Sequence, residues 1–359
     1  MVACEICLRR SLLKAQSLRV AEESFAPRRQ TADLLRLDDA EMSERLAQTA
    51  PDAMQMIDGE IARLSGRAAP AWSVCRHREG FPQDLLELPD CPPVIYGIGD
   101  AGLLAAAESP RIAIVGARRA SGYGRDVAFG LASDAAAAGM VVVSGMALGI
   151  DGAAHRGSLR SGGRTIAVLA GGPDVAYPRS HRLLHEQIAE GGAVVSENPP
   201  GITARRWSFV ARNRIIAALA GLTVIVEGSE QSGACHTIEY ALDLGRNVGA
   251  VPGPVTSPMS AGPHKFLRDG AALVAGFDDV LRIFEFDTSS PLPLAPELQL
   301  APAVLAVLEQ VRSGASDPRA IARELPHLEA REVTRALGEL ELDGLIKRDT
   351  RGGYSPAIR

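Results

Sequence analysis

Between residues 112 and 253 the chain repeats one hydrophobic pattern six times: a short apolar run, then small residues or glycine, then a helical stretch. The runs are 112–115 before Gly116, 141–143 before Ser144-Gly145, and 165–169 before Gly171-Gly172. Three more follow: 193–195 before Ser196-Glu197, 222–226 before Glu227-Gly228, and 247–251 before Pro252-Gly253. Continuous apolar runs separated by helices predict a parallel sheet covered on both faces, an α/β fold. In such sheets a ligand sits outside the carboxyl ends of the strands. Glycine at those ends lets a ligand approach backbone N–H groups. The pattern therefore predicts an edge built to hold something anionic.

The flanks read differently. Residues 1–80 are helical in pattern but weakly so, as at 32–46 and 52–64, and the first 30 residues are irregular. In 81–100 the prolines Pro82, Pro89, Pro92 and Pro93 stop helices, and 94–96 predicts a short edge strand leading into the sheet. The sheet domain, 81–286, closes with a helix at 277–286. A Ser/Pro-rich linker at 287–300 is extended in character. After it, 301–311 is a periodic helix, Asp317 caps a second at 318–324, and 329–342 is a third. Residues 344–348 and 352–355 then read as a two-stranded wing, completing a winged helix-turn-helix unit over 301–359. Its third helix carries Glu329, Glu332, Glu339, Glu341 and Asp343 against Arg331 and Arg335. A groove-reading helix is basic, so the expectation is protein contact or dimerisation.

Charge changes the picture only locally. The formal net charge of −5 argues against a general nucleic-acid binder, yet residues 110–285 are mildly positive and the flanks hold the acidic excess. The lysines are Lys14, Lys265 and Lys347, so nearly all the basic residues are arginine. That is either a composition bias or a use of arginine for phosphate forks and base stacking. The cysteine count of 5 is odd and makes no disulfide framework, which suits a reducing cytoplasm. Cys4 and Cys7 have metal-ligand spacing, but no second pair follows, so no metal is expected. No apolar run approaches a membrane span, and residues 1–20 lack the apolar stretch of a signal peptide.

Several chemistries drop out. No lysine directly follows a glycine, so there is no Walker-type phosphate loop. The first strand leads into GARRASGYG rather than GxGxxG, and the second ends at Ser144 where a dinucleotide fold places a ribose-binding acid. No Ser-His-acid set stands out, and no cofactor is expected. Four stretches remain. Gly116-Ala117-Arg118-Arg119 precedes a helix that Ser121 can cap; it is either a phosphate cradle or a capped helix with two solvated arginines. Residues 144–151 are either a long ligand-wrapping loop or a βα turn capped by Asp151. Phe209, Arg212, Asn213 and Arg214 open a helix, either as a base-stacking and phosphate-binding set or as an amphipathic helix start with Phe209 in the core. Ser232, Gly233 and Thr237 begin another helix, either facing a ligand or simply capped. His236 and Glu239 share a helix face as a nominal acid–base pair.

Taken together, these stretches resemble the DprA family (DNA-processing protein A, also called Smf). The resemblance runs from about Phe81 to Ala272 through CPPVIYGIG, IAIVGARRASGYG, VVVSGMALGIDGAAH, GGRTIAVLAGGPDVAYP, VVSENPPG, FVARNRIIAAL, VIVEGSEQSGACHTIEYALDLGR and AVPGP. It implies an extended Rossmann-like domain that binds single-stranded DNA, a homodimer, and a partner role in loading the RecA recombinase during natural transformation. It also implies a SAM-like helical N-terminal domain and a winged C-terminal one. The family's Gly-Ser/Thr-Arg signature falls on Gly116, Ala117 and Arg118, where alanine removes a hydroxyl. Its Phe-Pro-x-Arg-Asn-Arg falls on residues 209–214, with Val210 in place of proline. Its Ser-Gly…Thr helix start falls on Ser232, Gly233 and Thr237, with Cys235-His236 in place of an aliphatic pair. Its Gly-x-Asn becomes Gly262-Pro263-His264, followed by Lys265.

The expected function is thus a non-enzymatic, cytoplasmic single-strand binder. Phosphates would sit on the N–H groups of Gly116, Ser144-Gly145 and Ser232-Gly233, helped by Arg118, Arg119, Arg212, Arg214 and Lys265, with Phe209 stacking a base. The rival is a Rossmann-like nucleotide phosphoribohydrolase, whose PGGxGTxxE motif is loosely echoed in EGSEQSGACHTIE. A pure scaffold that binds recombinase but not DNA is a third class.

Overall fold

The structure is a computed structural model that describes residues 2–23, 38–50, 52–65, 71–105, 109–284, 301–342, 345–348 and 352–356. The expected linker at 287–300 lies outside the described residues.

Among the described residues three helices come first: α1 (Glu5–Glu23), α2 (Asp39–Thr49) and α3 (Ala53–Ser65). Leu8, Leu12, Met42, Leu46, Ile57 and Leu64 form a buried cluster that also takes in Cys75, Val94 and Tyr96 from the neighbouring sheet. Asp38 caps α2 through the N–H groups of Ala40 and Glu41. A helix therefore occupies most of the stretch whose pattern reads as irregular. Its apolar positions are too scattered to show a stripe, and packing against α2 and α3 supplies what periodicity does not.

Among the described residues the sheet has nine strands: β1 (Trp72–Cys75), β2 (Val94–Gly99), β3 (Arg111–Val115), β4 (Val141–Ser144), β5 (Thr165–Val168), β6 (Ala193–Ser196), β7 (Leu222–Ile225), β8 (Asn247–Ala250) and β9 (Ala272–Leu273). Their order is β1-β2-β6-β5-β4-β3-β7-β8-β9. The pairs from β6 to β9 are parallel, while β2 runs antiparallel to β6 and β1 antiparallel to β2. The six apolar runs are β3 to β8. Two points correct the sequence expectation. Residues 72–75 form a strand inside the stretch expected to be helical. The strand at 94–96 is longer and is not the edge, because β1 pairs beyond it. A four-residue strand next to a turn carries too little pattern to register.

The connecting helices are α4 (Gly102–Ala105), α5 (Gly122–Ala137), α6 (Ile150–Arg160), α7 (Arg182–Gly191), α8 (Ser208–Ala218), α9 (Gly233–Asp243), α10 (Ala261–Arg268) and α11 (Phe277–Ile283). Strand side chains alternate between two cores, as a period of two requires. Ala113, Val115, Val143 and Ile225 meet Ile215 and Ile216 of α8 and Ile238 of α9. Ile112, Ile114, Val142 and Val224 meet Leu131 of α5, Ala154 of α6 and Val280 of α11. The chain steps one way from β3 to β6 and the other way from β7 to β9. That reversal opens a crevice at the carboxyl ends of β3 and β7.

The last unit comprises α12 (Pro302–Arg312), α13 (Pro318–Glu324), α14 (Ala330–Leu342) and an antiparallel pair, β10 (Ile346–Arg348) with β11 (Tyr354–Pro356). Val307, Val311, Ile321, Val333, Leu337 and Leu340 form its core, and the Asp317 carboxylate accepts from Arg319 N–H at the start of α13. No helix among the described residues is long and apolar enough to cross a membrane.

Candidate nucleic-acid interface

Where the strand order reverses lies an open cleft of about 750 Å³. Its walls are the β3–α5 loop, the start of α6, and the first turns of α8 and α9. The mouth and the floor differ in kind.

At the mouth, the Arg118 guanidinium lies 4.7 Å over the Phe209 ring. Phe209 in turn packs on Tyr177, with centroids 5.1 Å apart and rings inclined at 49°. Tyr177 is 45% exposed, and Arg118, Arg119 and Arg206 are exposed around it on the cleft wall. Such a cation-capped aromatic pair offers a flat face to an unpaired base and positive charge to its phosphate. Tyr177 and Arg206 are functional candidates that sequence reasoning missed. Tyr177 lies between the fifth and sixth strands in sequence order and reaches Phe209 only through the fold.

The opposite wall is the N-terminus of α9. Ser232 holds extended backbone geometry before it, but its side chain makes no capping bond. The hydroxyl lies 3.5 Å from Cys235 Sγ instead. The first N–H groups of a helix have no partner within it, so Gly233 and Ala234 present donors and the positive end of the helix dipole to the cleft. Thr237 lies one turn further on the same wall.

The floor is different. Arg212 is buried, and its Nη1 donates to the carbonyls of Gly145, at 2.7 Å, and Val168. Burial lowers its pKa to about 10, against the opposing pull of Asp151. Asp151 is buried beside it. Burial raises the pKa of this carboxyl, while Arg212 and the Ala147 N–H work the other way. Each is bonded to the backbone, and each charge favours the other only at longer range. Asn213 Nδ2 donates to the Gly233 carbonyl at 2.9 Å and so ties α8 to the start of α9.

Several of the expected residues are engaged inside the protein instead. Ser144 is buried and its hydroxyl donates to the Ile114 carbonyl at 2.7 Å. Gly145 is also buried, and a Cβ there would strike the Arg212 guanidinium. Its glycine makes room for an arginine of the same chain, not for a ligand. In the same loop Met146 holds a left-handed backbone with φ 54°, and His181 Nδ1 donates to its carbonyl at 3.0 Å. Gly149, at φ 78°, precedes α6, so Asp151 sits inside the helix and does not cap it. Gly116 lies on the cleft wall, but the next N–H, that of Ala117, is taken by the Glu227 carbonyl at 2.7 Å. Arg214 points elsewhere: it pairs with Asp90 at 2.8 Å and Glu197 at 2.6 Å. Lys265 stands over Phe266 at 5.3 Å and is not part of the cleft lining.

Glu227, which sequence reasoning treated only as a strand end, braces the β3–α5 loop. Its carboxylate accepts from the Ser121 N–H at 2.8 Å and hydroxyl at 2.6 Å. Ser121 caps α5 as expected, accepting from Gly124 N–H. His236 and Glu239 do pair, at 3.0 Å, but on an exposed helix face outside the cleft lining.

A family profile described as DNA recombination-mediator protein A matches residues 72–285. The chain belongs to that family, DprA. The family segment begins with β1 and ends just past α11, so it contains the whole sheet and the cleft. The putative DNA processing protein DprA of Mycobacterium tuberculosis is 50% identical over 191 residues, 53% of this chain and 49% of that protein. The match thus spans about half the length of that relative. DprA of Streptococcus pneumoniae is 40% identical over 210 residues, 57% of this chain and 72% of that one. The crystal structure of S. pneumoniae DprA superposes with a TM-score of 0.63 at 30% identity, covering 80% of this chain and 99% of that one. Helicobacter pylori DNA processing protein A, whose structure is described as showing a single-stranded DNA binding mode, superposes with a TM-score of 0.52 at 28% identity, covering 57% of this chain and 93% of that one.

Proposed function

We propose that this protein binds single-stranded DNA across the strand-end cleft and, as a homodimer in the cytoplasm, loads the RecA recombinase onto it during DNA uptake and recombination. The observation that carries the reading is the cation-capped aromatic pair, Arg118 over Phe209 beside Tyr177, facing the uncapped start of α9. A flexible strand needs both: a platform for one base and donors for the adjacent phosphates. Arg118, Arg119 and Arg206 supply the phosphate charge, with the N–H groups of Gly233 and Ala234 opposite; the Ser232 N–H is already taken by the Ser229 carbonyl at 3.0 Å. Arg212, Asn213 and Glu227 keep this surface in shape. The single-stranded DNA binding mode described for the H. pylori relative supports the same assignment.

The helical units at either end fit SAM-like and winged-helix roles. The exposed face of α14 mixes Arg331 and Arg335 with Glu339 and Glu341, and Arg331 already pairs with Glu329 at 2.7 Å. That face suits a protein partner better than duplex DNA.

The test is binding of single and double strands across a salt series, followed by RecA filament assembly on strands coated by a single-strand binding protein. Single strands are preferred, and log affinity falls with log salt by about 0.7 per phosphate neutralised. Equal affinity for duplex, or no salt dependence, removes the proposal. The phosphoribohydrolase alternative needs the glutamate of its motif in the cleft. Its counterpart Glu239 lies outside it, paired to His236. Nucleoside monophosphates incubated with the protein are expected to release no base.

A further inference from the structure

Away from the cleft, the fold brings together four side chains that the sequence keeps far apart. Cys4 immediately precedes α1 and Cys7 lies in its first turn. Cys75 ends β1, and a tight turn closed by Arg78 N–H to the Cys75 carbonyl at 2.8 Å presents His77. The Cys7 sulfur lies 3.3 Å from His77 Nδ1, and the Cys4 sulfur lies 3.6 Å from it. Cys4 and Cys75 sulfurs are 3.6 Å apart, and all four donor atoms fall within 4.8 Å of one another.

We propose that Cys4, Cys7, Cys75 and His77 form a structural site for a divalent cation of the zinc class, fastening the N-terminal helices to the edge of the sheet. Three arguments converge. Thiolates held about 2.3 Å from a tetrahedral ion stand about 3.8 Å apart, close to the spacings found. Three soft sulfurs and one imidazole are a Cys3His set, which selects zinc over hard cations and leaves no open position for catalysis. The surroundings also direct donors and partial positive charge at the sulfurs. The Cys4 N–H donates to Cys75 Sγ at 3.4 Å, and both α1 cysteines sit at the positive end of their helix.

A plain apolar core does not account for this grouping. Cys7 and Cys75 are buried, but His77 is exposed and still aims its ring nitrogen at two sulfurs. Nor does a preformed disulfide: 3.6 Å is far beyond the S–S bond length of about 2.05 Å. The site joins residues about seventy positions apart, and metal binding there adds directly to the stability of that junction.

The test uses the full-length reduced chain titrated with Co(II), then Zn(II). One equivalent of cobalt is expected to give the intense visible bands of tetrahedral thiolate coordination, and zinc is expected to bleach them. Cys75→Ser removes one thiolate and the matching charge-transfer intensity. His77→Ala, at an exposed position, weakens cobalt by more than about 100-fold, beyond the usual cost of losing an outer-sphere partner. Cys91→Ser binds like the parent chain. Chelation is expected to lower the melting temperature while single-strand affinity at the cleft persists, so the outcome is independent of the DNA-binding proposal. A weak octahedral spectrum, uptake well below one equivalent, unaltered binding in His77→Ala, or a Cys4–Cys75 disulfide forming in place of uptake would overturn it.

Discussion

The mouth and the floor of the cleft are built with the same arginine side chain and use it in opposite ways. At the mouth, Arg118, Arg119 and Arg206 are exposed, and Arg118 rests on an aromatic face. At the floor, Arg212 is buried, donates to two backbone carbonyls and faces Asp151. Arg214, two residues on, is buried between Asp90 and Glu197 and leaves the cleft altogether. Charge on its own does not make a phosphate site. An arginine already satisfied inside the protein would have to break those bonds to reach a ligand, whereas an exposed one gives up only water.

This contrast can be broken or sharpened in graded steps. The largest effect is expected from Arg212→Ala, which strands Asp151 and two carbonyls in the interior. A loss of at least about 2 kcal/mol in urea unfolding is expected, because each buried acceptor left unpaired costs about 1–3 kcal/mol. If the variant stays as stable as the parent and loses only DNA affinity, the floor is a ligand site after all. Next comes Phe209→Ala at the mouth. It should weaken single-strand binding by about 1–3 kcal/mol, the usual worth of one stacked base, with stability nearly unchanged. Titration against a fluorescent oligonucleotide reads this directly.

A pH effect of similar size comes from beneath the floor. His155 is buried, and its Nδ1 hydrogen-bonds Thr165 Oγ1 at 2.7 Å. Burial, with the nearby charge of His181, lowers its pKa from 6.5 to about 3. The unfolded chain takes up this proton first, so stability is lost as pH falls below about 6.5 and the loss levels off near 3. Between pH 7 and pH 5 this one group should cost about 2 kcal/mol. Denaturation curves for the parent and His155→Gln at both values test it, because the variant should lack that part of the slope. The smallest effect is Arg118→Ala, which should flatten the log–log salt slope by about 0.7 and weaken affinity several-fold. Lys265→Ala, outside the cleft lining, should change neither. A larger effect at Lys265 than at Arg118 would move the binding surface.

The sequence by itself determined the six parallel strands, the two-faced core and the edge at which the cleft opens. Strand burial is written in consecutive residues, and a strand end that must stay small is visible as glycine or serine. The family resemblance was legible for the same reason: its motifs are short and contiguous. The tertiary structure alone decided which arginines face outward, that Gly145 makes room for Arg212, and that Tyr177 completes the aromatic pair. It alone brought Cys75 and His77 to Cys4 and Cys7, although the sequence shows the first two cysteines without partners. Each of these depends on side chains meeting across the sheet or from its edge to a helix. Local periodicity carries no record of such distances, because residues about seventy positions apart become neighbours only when the whole core has packed.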